Sequence, residues 1–249
     1  MQEQKAINKV LEHVTYLEHL ETDTGVEGWL VNPRGYNHLL GADYYSKQTV
    51  YEVYALIFII LLLSGVFSYE RKNNMKIILH TTRNGRKRLF FTKMAAMGMI
   101  TTLIWFLTYA HELFELNRHY GFPHVDAPLQ SLPFLGNINL SCRIGTFIIL
   151  VMILRLFLLF FITFITGYLS SKVNLMKSMI LSLILFVMPE FLSRLGVPLF
   201  QHLSVVRILN GTSIRIEKGN LYTLVLSILM TVIMGILAFY ITKKDWCKA

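Results

Sequence analysis

Apolar residues in this chain gather into long unbroken blocks, and the polar residues fall between them. Five blocks run over residues 51–67, 89–110, 145–169, 175–197 and 221–242. A bilayer core of about 30 Å is crossed by a helix of about 17–25 mainly apolar residues, and every block falls in that range. Lipid offers no partner to a free backbone N–H or C=O, so the crossing segments must be helical. The runs are continuous rather than alternating, which excludes a membrane barrel. The pattern predicts an all-α polytopic membrane helix bundle with five spans.

The polar stretches have patterns of their own. Within residues 1–48, Ile7, Val10, Leu11, Val14 and Leu17 repeat at helical spacing and form one apolar face. Thr24-Gly25 and Asn32-Pro33-Arg34-Gly35 interrupt the chain after it. Two readings stand: a helix packed on the outer ends of the spans, or a cap over a substrate exit. Between the first two blocks, Met75, Ile78, Leu79 and Thr82 share a helix face, with Arg71, Lys72 and Lys76 mainly off it and a stop signal at Asn84-Gly85. This short amphipathic helix either lies on anionic lipid heads or docks in a groove of a cytoplasmic partner. The loop 111–143 contains Pro123, Pro128 and Pro133 and is read as extended or turned.

Composition agrees with the blocks: 54% of residues are hydrophobic and only 16% charged, against about a quarter charged in soluble domains. The formal net charge is +9. Arg71, Lys72, Lys76, Arg83, Arg86, Lys87, Arg88 and Lys93 crowd around the first connection. They are flanked by bilayer helices, not by an aromatic platform for bases, so no nucleic-acid partner is expected. The positive-inside rule puts this connection in the cytoplasm. Residues 1–48, 111–143 and 198–220 then lie outside, and the tail 243–249 lies inside, with Trp246 as an interface anchor. An external segment of 48 residues with no signal peptide implies a preceding first transmembrane helix absent from this chain, so a complete unit has six spans. Cys142 and Cys247 fall at opposite faces and cannot pair. His111 and Glu115 have the spacing of a metal pair, but no third ligand accompanies them, and no metal site is expected.

Two charges fall inside apolar blocks. Counting from the outer surface at about 1.5 Å per residue, Arg155 lies about 15 Å deep and Glu190 about 10 Å deep. Their spans are joined by a tight turn, so the two are expected to meet, with Pro189 freeing a carbonyl nearby. A central charge costs about 2.5–3.5 kcal/mol on insertion scales, so a partner or a wet cavity is required. The site is read either as a static pair or as a polar point on a substrate route. No GxxxxGK[ST], HExxH or GxSxG motif occurs, so the chain neither cradles ATP nor carries recognisable protease or lipase chemistry, and it is read as a non-enzyme.

The segment Phe67-Ser68-x-Glu70, followed by Thr81-Thr82-Arg83-Asn84-Gly85-Arg86 and then Lys93, resembles the permease subunits of type-2 ATP-binding cassette (ABC) exporters. In that family a Phe, a Glu a few residues on, a short helix and Thr-x-x-x-Arg precede the second of two spans. The order of elements from residue 50 to 242 is similar too. The resemblance implies a coupling helix at about 69–83 within a permease domain at 49–242. Glu70, Arg71, Met75, Ile78, Leu79, Arg83, Gly85 and Arg86 would dock on a cytoplasmic ATP-binding subunit. It implies a second permease chain, identical or related, surrounding lipid, no cofactor on this chain, and ATP on the partner. The cargo would be a peptide, antibiotic or lipid-like molecule. The alternatives are a non-transporting membrane protein, such as an immunity or sensor subunit, or an intramembrane enzyme.

Overall fold

The computed structural model describes residues 2–25, 27–40, 49–72, 85–135, 141–197, 204–210 and 221–248. Among these the secondary structure is helical, apart from one isolated bridge between Pro128 and Arg143. Four helical stretches are long and apolar enough to cross a membrane: Tyr51–Glu70, Lys87–Tyr120, Ile144–Lys172 and Leu175–Arg194. They contain α3 (Thr49–Leu63) with the short α4 (Ser68–Lys72), α5 (Gly85–Trp105) with α6 (His111–Tyr120), α7 (Ile144–Lys172), and α8 (Leu175–Phe186) with α9 (Met188–Arg194). The short α10 covers Val205–Asn210, and the long α11 covers Leu221–Lys248.

The surface of this bundle is apolar. Phe58, Leu61, Met99, Leu103, Ile149 and Ile184 are all exposed, while Glu52, Glu112, Arg155 and Glu190 are buried. A soluble protein does not present large apolar side chains on every helix; a membrane-embedded one does, because lipid is its solvent. Inside, some hydroxyls are absorbed locally. Thr101 donates to the Met97 carbonyl at 2.8 Å and lies 2.7 Å from the Thr163 hydroxyl on α7. α11 lies along α7, and at Gly235 an added Cβ would sit 2.7 Å from Phe161.

The second span is longer than its apolar block. The helix does not stop at residue 110. It passes through a π-helical turn, Phe106–Ala110, and continues as α6 to Tyr120. His111–Tyr120 has no proline, and Glu, Leu and Arg there are good helix formers. Gly121, at φ 62°, ends it. The expectation of an extended or turned loop therefore holds only beyond residue 120, where two 3₁₀ turns, Leu129–Ser131 and Pro133–Leu135, follow. At the other end of the chain, residues 243–248 are not a separate tail but the last turns of α11. Trp246 is buried, its ring 5.2 Å from that of Phe67, so it is a core residue and not an interface anchor.

The N-terminal α1 (Gln2–Thr24) ends at Gly25, φ 68°, whose N–H reaches the Glu21 carbonyl at 2.9 Å. Its expected apolar face is not the face that packs. Ile7, Val10, Leu11 and Val14 are exposed. α1 is held instead by His13, 3.0 Å from the Ser131 carbonyl, by the Tyr16 hydroxyl on the Gln130 carbonyl at 2.9 Å, and by buried Leu20. At about 100° per residue this edge lies roughly a third of a turn from the apolar stripe. Two specific hydrogen bonds to the 3₁₀ turn fix the helix rotation where the apolar stripe alone would have chosen another. Pro33 does not simply break the chain but opens α2 (Arg34–Leu39), whose Tyr36 donates to the Pro123 carbonyl at 2.8 Å. Burial pushes the Tyr36 phenol up to about 12.

Candidate functional site

Two polar clusters lie at opposite ends of the bundle. The first gathers around Arg155 in the middle of α7, 1% exposed. A guanidinium here has no water to donate to, so its N–H groups must find protein acceptors. Nη1 pairs with Glu112 Oε2 of α6 at 3.0 Å, and that carboxylate is also 1% exposed. Nε donates to the Leu209 carbonyl at 2.6 Å, and Nη2 to the Leu39 carbonyl at 3.0 Å and the Asn210 carbonyl at 3.5 Å. The guanidinium carbon lies 4.7 Å from the centroid of the Tyr109 ring, in the π turn. The fork of one arginine thus joins the ends of α2 and α10 to two spans.

The π turn inserts one extra residue per turn between the apolar part of α5 and α6, and the residues around it, Tyr109 and Glu112, both face the interior. Glu52, in the first turn of α3, completes the cluster at 0% exposure. It lies within Coulombic range of Glu112, Arg155 and Glu190, and among the described residues neither of its oxygens has a hydrogen-bond partner. Glu112 Oε1, the Tyr109 hydroxyl and Asn210 Oδ1 are likewise unpartnered.

The expected meeting of Arg155 with Glu190 is overturned. Arg155 takes Glu112 as its carboxylate. Glu190 pairs with Arg194 at 3.0 Å and Arg207 at 3.5 Å, and accepts from the Ser204 hydroxyl at 2.8 Å. Pro189 is the cause. α8 ends at Phe186, and the chain restarts as α9 with Pro189 in its first turn. Glu190 therefore belongs to a new helix with its own neighbours. Glu112 falls in the stretch expected to be an extended or turned loop; the continuation of the helix past residue 110 is what buries it.

The second cluster is built around the end of α3. The chain turns after Leu63, and Ser170 of α7 accepts the backbone N–H groups of Phe67 and Ser68 at 3.1 and 3.2 Å. Glu70 of α4 forms an ion pair with Lys93 of α5 at 2.6 Å, both side chains being mostly covered. The same ammonium donates to the Val66 carbonyl at 2.9 Å and sits over the rings of Phe67 and Trp246, 4.9 and 5.0 Å from their centroids. Lys172 pairs nearby with Asp245 of α11 at 2.6 Å.

Of the eight residues expected at a docking helix, Glu70 is turned onto Lys93. Arg71 lies within α4, and Gly85 and Arg86 open α5. Met75, Ile78, Leu79 and Arg83 lie outside the described residues. Glu115, half of the metal-spaced pair, accepts the Tyr51 hydroxyl. Among the described residues no three His, Cys, Asp or Glu side chains gather as a metal site. Cys142 is free, and burial pushes its thiol up; the Cys247 side chain lies outside the described set.

No family model, curated protein or solved structure matches the chain.

Proposed function

We propose that this chain is the membrane-spanning subunit of an ABC exporter, driven by a separate cytoplasmic ATPase and working with a second permease chain. The observation that supports this reading most is the clamp on Phe67, Ser68 and Glu70. These motif residues tie the start of the segment leading to residues 73–84 onto three spans at once: α3 through the turn, α5 through Lys93 and α7 through Ser170. A coupling element must hand a push from its partner to the spans. An anchor of this kind does so, where a loosely tethered lipid-surface helix would not. Glu70 then acts as a brace, and the docking contacts fall to Met75, Ile78, Leu79, Arg83 and Arg86. Orientation follows from the basic cluster, with this end cytoplasmic.

The test is a charge reversal, R83E with R86E. Loss of co-purification with the ATPase, and of substrate-stimulated ATP hydrolysis, is expected while insertion stays normal. A double variant that inserts, binds the ATPase and transports as well as the parent overturns the docking role. A second reading, a non-transporting immunity or sensor subunit, draws on the exposed stripe Ile7, Val10, Leu11 and Val14, a face suited to contact with another molecule. A complex that forms without any ATPase would favour it.

A further inference from the structure

The geometry points to a binding site for an anionic phospholipid in the seam between α5 and α11, with the headgroup on Lys87, Arg88 and Lys243 and an acyl chain on the apolar column beneath them. This does not depend on the transport reading. Two contacts fix the seam. The Phe90 ring of α5 lies 5.6 Å from the ring of Phe239 on α11. Beside it, the Lys243 ammonium sits over the Phe91 ring, 5.4 Å from its centroid. A lysine can lay its stem along an aromatic face in this way and keep its charge at the water boundary. Lys87 and Arg88 come four and three residues before Phe91, so they stand on the same side of α5, one turn nearer the end of the bundle. All three cations are exposed, and so is Phe91.

The chain offers these cations no counter-charge. Among residues 53–111, 144–189 and 221–249 the only acids are Glu70 and Asp245. Each is already engaged, Glu70 with Lys93 and Asp245 with Lys172, both at 2.6 Å. Lys87, Arg88 and Lys243 have no ion pair among the described residues. Like charges on adjoining turns repel, and an anion placed between them replaces that repulsion with attraction. The positive-inside rule explains the sum of charge at this end, but a sum is indifferent to place. It does not require that cations of two helices gather around one exposed phenyl ring.

The surface under the cations selects a lipid. On α11, Tyr240 and Ile236 come three and seven residues before Lys243, on its face of the helix, and both are exposed. On α5, Ala95 and Met99 come four and eight residues after Phe91, and both are exposed as well. Two apolar columns thus run from the cations toward the middle of the bundle. A free phosphate would leave them uncovered. A phospholipid brings phosphate and chain in one molecule, at the depth where basic side chains meet apolar surface. An anionic headgroup fits better than a zwitterionic one, whose ammonium would face the same three cations.

The test titrates the full chain, purified in detergent, with phosphatidylglycerol or with phosphatidylcholine of identical acyl chains, and follows retained lipid by native mass spectrometry. Phosphatidylglycerol is expected to be held more tightly, and glycerophosphoglycerol, the same headgroup without chains, should fail to displace it. R88Q and K243Q should each weaken its retention about fivefold. K177Q removes an equal charge from the first turn of α8, at the same end of the bundle, and should leave retention unchanged. Equal retention of the two lipids overturns the proposal and leaves the cations to a protein partner. A loss in K177Q as large as in R88Q and K243Q overturns it in favour of summed charge. Displacement by the chain-free headgroup overturns it in favour of a plain phosphate site. R88Q and K243Q lie on different helices, so either decides if the other does not fold, and the comparison of lipids on wild type needs neither.

Discussion

Replacing Arg155 by Met is the sharpest perturbation the bundle offers, because methionine fills a similar volume and removes only the charge and the donors. The pair it breaks is 1% exposed on both sides, so water cannot take the place of the guanidinium. Removing one partner of a buried ion pair costs about 3–5 kcal/mol. The bonds to the carbonyls of Leu39, Leu209 and Asn210 are interhelical and add about 0.6 kcal/mol each. R155M is thus expected to lose about 5–7 kcal/mol. R155K keeps the charge but loses the planar fork, so it cannot serve Glu112 and the carbonyls of Leu39, Leu209 and Asn210 together. It should fall between the two.

The measurement is reversible unfolding in mixed micelles, followed by helical circular dichroism. The decisive comparison is the double variant R155M with E112L, in which no charge is left stranded. Replacing both members of a buried pair by apolar residues is often neutral or better, so the double variant should recover at least about 3 kcal/mol over R155M. A double variant no more stable than R155M would refute the pairing, as would an R155M that unfolds like wild type. The exchange R155E with E190R should rescue nothing, since Glu190 is held by Arg194, Arg207 and Ser204.

Two further outcomes follow from the same structure. S170A strips the acceptor from the N–H groups of Phe67 and Ser68. At about 1–3 kcal/mol for a buried group left unsatisfied, it should destabilise the bundle by roughly 2 kcal/mol and speed hydrogen exchange at those two amides; unchanged exchange would show that the clamp is not there. Tyr36 is held up to about 12 by burial, while a phenol in the unfolded chain ionises near 10. Stability should therefore be whole below about pH 10 and decline as pH rises toward 12. Y36F should reduce that slope while losing about 0.5–1.5 kcal/mol for the bond to Pro123. Phenolate absorbance during alkaline titration checks it, and a Tyr36 that titrates with the exposed tyrosines would contradict it.

What could be read from the sequence was what lipid dictates. Apolar blocks announce crossing helices because only length and polarity are needed to recognise them, and four of the five blocks coincide with such helices. Arg155 and Glu190 stood out for the same reason, as charges within apolar runs. Their partners did not. Glu112 lies past the end of the apolar block, in a stretch whose His, Glu and Arg content looks solvated, and only a helix carried through a π turn brings it back to Arg155. Glu52 opens an apolar block, where a charge usually marks the membrane surface; nothing in the pattern said that it would be fully buried. The rotation of α1 was hidden for a related reason. His13 and Tyr16 are neither strongly apolar nor obviously functional, yet their bonds to the 3₁₀ turn outweigh the stripe beside them.

The two clusters share their helices, and this bears on how the molecule can move. α7 carries Arg155 in one cluster and Ser170 in the other, about 22 Å apart at 1.5 Å per residue. The second span carries Glu112 and Lys93, and the first carries Glu52 and the Phe67–Glu70 turn. A continuous helix is stiff along its axis, since shortening it breaks a ladder of backbone bonds. A load entering through Glu70, Lys93 and Ser170 therefore reaches the other end as sliding or tilting of whole rods, with little lost on the way. Arg155 is placed to register such sliding. It grips the carbonyls of Leu39 and Leu209, on short elements outside the rods, while its own backbone rides on one rod and its carboxylate partner on another. Small relative shifts must stretch those bonds or break them, and a buried charged network has few states between made and broken. The π turn below Glu112 and the break before Pro189 interrupt two rods next to this cluster, as the turn after Leu63 interrupts the first span next to the clamp. Two interruptions thus lie where the buried charges meet and one where a push would enter, so a change of packing that starts at the clamp has places to yield beside Glu112 and Glu190 as well.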